Sequence, residues 1–343
     1  MKKPLVLFFI IILLGAGILA GKNGFFSKAP IQQFNLPGGE GELTSEPHSL
    51  SIESLRKGQY PASDIVIEET LDSGTNYKRY IASYKSEGLK IYALLTVPNA
   101  ILPEGGFPAI IFNHGYIPPT EYKTIERYTA YVDGFARSGY VVFKPDYRGH
   151  GNSEGQPTGA YGSNGYTIDV LNAVSSIKKY AGVNPQKIGM WGHSLGGFLT
   201  LRTMVISKDV KVGVIWAGVV ASYEDLFYNW RRRSFTPPPG VRSSWRQSLV
   251  EQFGEPGQNP QFWNSLSANS YLSDISGPLQ LHHGTGDSSV PVAFSQKLLE
   301  QMKKVGKEVK LYTYEGDDHN LSGNFSTAMS RSVSFFDKFL KGE

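Results

Sequence analysis

Apolar and polar positions divide the chain into regimes with different periods. Lys2 and Lys3 precede an uncharged run, Pro4–Gly21, that has no polar face. The next stretch, residues 22–60, loses that continuity: Leu36–Ser49 is rich in Gly, Pro, Ser and Glu and reads as a flexible tether. Within it, Ser51–Tyr60 has the pattern of a short helix opening the folded part, and His48 carries no assigned role. From Asp64 the period shortens to two. Three β-rich segments, Asp64–Leu71, Tyr77–Ser86 and Leu89–Pro98, are separated by short polar turns and predict an antiparallel meander.

Beyond the meander, short apolar strands alternate with helical periods. Phe107–Gly115, Tyr140–Gly149, Lys187–Ser194, Val210–Val220, Pro278–Gly284 and Glu308–Gly316 read as strands. Glu126–Gly139, Tyr166–Gly182, Leu195–Ile206, Val292–Gly306 and Ser326–Gly342 read as helices. This alternation predicts an α/β fold with a mostly parallel sheet covered on both faces. Residues 222–277 interrupt it. They show no clear strand, yet hold Trp230, Trp245 and Trp263, and read as a helical lid inserted over the strand ends. The 343 residues are thus expected to form a leader, a tether and one folded body, 61–343.

Composition narrows the chemistry. A formal charge of +4 is too small to suggest a nucleic-acid partner. The absence of cysteine excludes disulfides, thiolate metal sites and a cysteine nucleophile. The basic start and apolar run of residues 1–21 predict export, either as a cleaved signal peptide or as a retained anchor, with membrane contact through that segment only. No metal-ligand spacing and no phosphate-binding glycine loop is present, so neither a metal nor a cofactor is expected.

Gly192-His193-Ser194-Leu195-Gly196 fits G-x-S-x-G and lies between a predicted strand and a predicted helix, the setting of a nucleophile elbow. Ser194 is the candidate nucleophile. Its base is expected in a loop that reaches back to the strand ends, which selects His319. His193 reads as a packed elbow residue, and His282 and His283 as core or rim. The acid that orients the base is expected after a strand between Ser194 and His319, which selects Asp287; Asp317 and Asp318 lie too close to His319, and Asp274 precedes its strand. The backbone N–H groups of Leu195 and Tyr116 are the expected oxyanion donors. Asp146 and Arg148 are assigned to a structural network. Trp230, Arg231 and Trp245 of the lid are candidate substrate contacts, with Arg231–Arg233 suited to a carboxylate.

Five segments, Asn113–Tyr116, Pro145–Gly155, Gly192–Gly197, His283–Pro291 and Glu315–Leu321, together resemble the α/β-hydrolases, and more narrowly the catalytic domain of the prolyl oligopeptidase family. The resemblance covers roughly residues 90 to 341 and implies that fold and a serine-type peptidase activity. Two features depart from the family. Only about 40 residues separate the tether from the strand ending in Asn113, too few for the β-propeller that family peptidases carry. His193 and Leu195 beside the serine are instead similar to esterases and lipases. The expected function is therefore an exported serine hydrolase acting on a small ester or peptide substrate. The alternatives are a carboxylesterase for small acyl or sugar esters, and a catalytically silent binding protein on the same scaffold.

Overall fold

A computed structural model describes residues 46–230 and 244–343. The apolar leader and the three arginines Arg231–Arg233 lie outside the described residues. The chain enters the folded body at Glu46. Helix α1 (Ile52–Lys57) is capped by Ser51, whose hydroxyl accepts the Ser54 N–H at 3.0 Å. Ile52 and Leu55 are spaced so as to face one way, and both are buried. Arg56 donates to the Val205 carbonyl at 2.7 Å and ties the helix to the body. Residues 46–60, expected within the tether, therefore belong to the folded unit, as the helical pattern of Ser51–Tyr60 suggests.

Strands β1 (Val66–Leu71), β2 (Tyr77–Ser86) and β3 (Leu89–Pro98) form the antiparallel meander. After β4 (Phe107–Asn113) comes α2 (Thr129–Arg137), then β5 (Val141–Pro145), α3 (Gly165–Lys179), β6 (Val183–His193), α4 (Leu195–Ile206) and β7 (Val212–Trp216). The strandless region holds α5 (Tyr223–Tyr228), α6 (Ser244–Phe253), α7 (Pro260–Leu266) and a 3₁₀ segment, Ala268–Asp274. The chain closes with β8 (Leu279–Gly284), α8 (Val292–Lys304), β9 (Val309–Tyr314) and α9 (Phe325–Phe336).

One sheet takes all nine of these strands in the order β1-β2-β3-β5-β4-β6-β7-β8-β9. Pairing is antiparallel as far as β3 with β5 and parallel from β5 onward. The period of two sorts the central strands between two cores. Ala109 and Ile111 of β4 join the core under α3, α4 and α8, while Ile110 and Phe112 join the core under α2 and α9. A mixed sheet with helices on both faces is the α/β-hydrolase architecture expected from the sequence. The described part of 222–277 is helical, but Trp263 and Leu266 are buried in the main core, so this region is packed into the body along much of its length.

The chain departs from the predicted elements at one functionally important place. The helical period from Glu126 does not become helix until Thr129. Arg127 and Tyr128 both adopt left-handed backbone, at φ 57° and 54°.

Candidate active site

The parallel strands deliver their C-terminal ends to one edge of the sheet, where the elbow sits between β6 and α4. Ser194 occupies a strained backbone, φ 56° and ψ −119°, outside the usual regions for a side-chain-bearing residue. Gly196 is what lets the turn close: a Cβ there would lie 1.9 Å from the Asn113 carbonyl oxygen at the end of β4. Gly115 also brings the loop after β4 close to the elbow. A Cβ on it would stand 3.2 Å from that of Ser194.

His319 and Asp287 come together from loops after β9 and β8. His319 Nδ1–H donates to Asp287 Oδ2 at 2.7 Å, which leaves Nε2 as the ring's acceptor. The Asp287 side chain is fully buried, and its other oxygen accepts the Ser289 and Val290 N–H groups at 2.7 and 3.0 Å. Burial works against its charge, but the hydrogen bonds from His283 and His319 and the Val290 amide outweigh it and hold the carboxyl well below its usual range. His283 is expected from the sequence at the core or rim. It is buried, and its Nε2 stands 3.0 Å from the Val290 carbonyl and 3.2 Å from Asp287 Oδ2, while Nδ1 meets Ser295 Oγ at 2.8 Å. Asp317 and Asp318 spend their oxygens on residues 320–324 and shape the loop around His319.

The Tyr116 and Leu195 N–H groups have no hydrogen-bond partner among the described residues, and Leu195 opens α4, whose N-terminal end favours negative charge. The preceding amide is engaged. Gly115 N–H donates to Tyr128 Oη at 2.9 Å, and that hydroxyl donates to His193 Nδ1 at 2.7 Å. On the far side of the ring, His193 Nε2–H donates to the His319 carbonyl at 2.9 Å. Burial, and then the neighbouring His319, push His193 down to about 3, so its ring is neutral and its tautomer is set by these two bonds. His193 thus joins the loop after β4 to the backbone of His319.

These residues surround one cleft of about 310 Å³, lined by Gly115, Tyr116, Ile117, Arg127, Tyr128, Tyr131, His193, Ser194, His319 and Asn320. Tyr116 is 60% exposed, its ring on the cleft wall. Ser194 Oγ makes no hydrogen bond among the described residues; the serine–histidine bond in such sites commonly tightens only with substrate present.

The lid tryptophans are not among the cleft-lining residues. Trp230 is buried and donates from Nε1 to the Ser289 carbonyl at 2.9 Å; Trp245 is half-buried against the rings of Tyr161, Tyr223 and Phe227. Asp146 is buried and accepts from Tyr122 Oη and Thr124 Oγ1 at 2.8 and 2.5 Å. Arg148 meets two other carboxylates, the buried Asp169 at 2.7 Å and Glu87 at 2.9 Å. Sequence reasoning passed over Arg127, Tyr128, Tyr131 and Asn320. Tyr128 and Tyr131 read as ordinary helix positions, and Asn320 had only its place beside His319 to mark it.

Among the described residues no group of His, Asp and Glu is arranged to hold a metal. The sequence profile of the prolyl oligopeptidase family matches residues 127–343. The uncharacterized peptidase YuxL of Bacillus subtilis (strain 168) is 26% identical over 305 residues, covering 88% of this chain and 44% of that protein. The acylaminoacyl peptidase of Pyrococcus horikoshii superposes with a TM-score of 0.61 at 23% identity, over 78% of this chain and 43% of its own. The esterase Pf2001 of Pyrococcus furiosus superposes at 0.57 and 21% identity, over 77% of this chain and 93% of its own. The chain thus spans less than half the length of the two peptidases and nearly all of the esterase. Strand order, elbow and profile agree: the chain belongs to the prolyl oligopeptidase family.

Proposed function

We propose that the chain is a serine hydrolase that cleaves an ester or peptide bond through an acyl-serine intermediate. The observation that carries this is a strained serine in one cleft with a histidine whose Nδ1 is fixed on a buried carboxylate. Ser194 Oγ attacks the carbonyl carbon, and His319 Nε2 takes its proton. Asp287 holds the ring and stabilises the imidazolium. The Tyr116 and Leu195 N–H groups receive the developing oxyanion. His319 returns the proton to the leaving group, and water then releases the acyl group by the same steps in reverse. A fluorophosphonate probe tests the reading. Wild type is labelled and Ser194→Ala is not; folded wild type that stays unlabelled overturns it in favour of a silent binding protein.

Ester and amide pass through the same tetrahedral intermediate, so the site serves both. Similarity to the two peptidases supports the peptide reading, and similarity in length to the esterase supports the ester reading. Turnover of p-nitrophenyl esters beside aminoacyl anilides decides between them. Export through residues 1–21 belongs to the same proposal, supported by two lysines ahead of an uncharged run. Among the described residues no helix is long and apolar enough to cross a membrane. Fractionation of cells expressing the full chain and a chain lacking residues 1–21 tests it: both in the cytosolic fraction rejects export.

A further inference from the structure

Arg127 is the one permanently charged side chain lining the cleft, and it has no hydrogen bond or ion pair among the described residues. Glu121, on the same loop, makes no ion pair with it, and three further carboxylates of the neighbouring loops are engaged elsewhere. Glu126 pairs with Lys123 at 2.7 Å, Asp318 accepts from Ser322 and Asn320, and Asp287 is held by His319. An unpaired guanidinium beside a reacting centre is a strong hydrogen-bonding fork without an anion.

The backbone supplies a second, independent observation. Arg127 and Tyr128 are consecutive side-chain-bearing residues in left-handed conformation, although the helical period runs through both. Such strain survives only where surrounding structure imposes it, and it concentrates at functional sites. Here the imposing structure is the site itself. Tyr128 Oη is held between Gly115 N–H and His193 Nδ1, which fixes the turn and sets Arg127 at the cleft. Were the chain helical from Glu126, Arg127 would be displayed on a different bearing.

We propose that Arg127 docks an anionic group of the substrate, a carboxylate or a phosphate carried on the acyl or leaving-group side of the scissile bond. This rests on the hydrolase reading above but concerns selectivity. The bond cleaved is unchanged; the preferred substrate is a negatively charged ester or peptide.

The test has a kinetic arm and a binding arm. In the kinetic arm, kcat/KM is measured for neutral p-nitrophenyl butyrate, for the carboxylate analogue mono-p-nitrophenyl glutarate, and for a butyryl ester of glycerol phosphate. The two anions distinguish carboxylate from phosphate. Wild type prefers at least one of them to the neutral ester. Arg127→Ala lowers the anionic-to-neutral ratio for that substrate by about tenfold to a hundredfold, the range for a hydrogen bond to a charged group. Arg127→Asn tolerates the left-handed backbone and gives the same loss without disturbing the turn; Arg127→Lys restores part of it. In the binding arm, calorimetry with monobutyl glutarate and with glycerol phosphate is run on Ser194→Ala, with and without Arg127→Asn. Loss of affinity with Arg127→Asn supports the proposal even if wild type takes no fluorophosphonate, in which case the hydrolase reading alone fails. Ratios and affinities within about twofold of the parent in both arms overturn it while leaving the hydrolase reading intact.

Discussion

Removing one oxygen atom, by Tyr128→Phe, tests whether the elbow, the loop after β4 and the backbone of His319 act as one unit. The ring stays in its packing against Phe112 and Trp191, while the hydroxyl that accepts from Gly115 N–H and donates to His193 Nδ1 is lost. His193 cannot compensate by changing tautomer, because its Nε2–H is committed to the His319 carbonyl. Two polar atoms lose their partner. Each costs about 1–3 kcal/mol if it stays dry, and with water reaching Gly115 from the cleft the sum is about 2–4 kcal/mol. That is similar to the strain stored in the left-handed pair Arg127–Tyr128, so the change also removes what holds the turn in place.

Urea unfolding followed by linear extrapolation reads the stability term. The kinetic term is separate. A shifted Gly115 moves the next amide, Tyr116 N–H, whose proposed contact forms only in the transition state. With a neutral ester, Tyr128→Phe then lowers kcat by about tenfold to a hundredfold, below the full loss of an oxyanion donor, and leaves KM nearly unchanged. Stability within about 0.5 kcal/mol of wild type together with intact kcat refutes the reasoning. Lost stability with intact kcat means that the hydroxyl props the fold without reaching the reacting centre.

Asp287→Asn places an amide where His319 Nδ1–H needs an acceptor, and kcat falls by about 10⁴-fold; fluorophosphonate labelling rates give the check, and a loss under tenfold refutes the assignment of the orienting acid. Stability decreases on acidification. Burial holds His193 and His282 at about 3, so between 6.5 and 3 the unfolded chain binds protons that the folded chain does not. His114, also driven far down by burial, adds in the same direction. Asp146, raised by burial to about 6, opposes this by keeping its proton in the folded state. His193 and His282 against Asp146 leave a loss of about 2–3 kcal/mol between pH 7 and pH 5, which His114 enlarges, and a urea midpoint that is unchanged or higher at pH 5 refutes neutral burial of the histidines.

What the sequence reveals depends on how local the governing force is. β2, β3 and α4 run between the residues their patterns predict, because burial on one or both faces fixes the period along the whole segment. Ser194 is legible because the elbow crowds its glycines, leaving a signature within five residues. Asp287 and His319 are legible through chain order, each loop following a strand that ends at the same edge of the sheet. The left-handed pair is different. Left-handed backbone is usually signalled by glycine or asparagine, and Arg-Tyr carries no such signal. Tyr128, Val132 and Phe135 continue the helical spacing, so every local term favours helix. What overrides them is a hydroxyl bonded to Gly115 and His193, 13 and 65 residues distant in the chain. The same bonds decide where Arg127 points, so the residue proposed to select the substrate owes its position to contacts made by its neighbour. A substitution that left Arg127 in place but freed Tyr128 would relax anion selectivity as surely as removing the guanidinium.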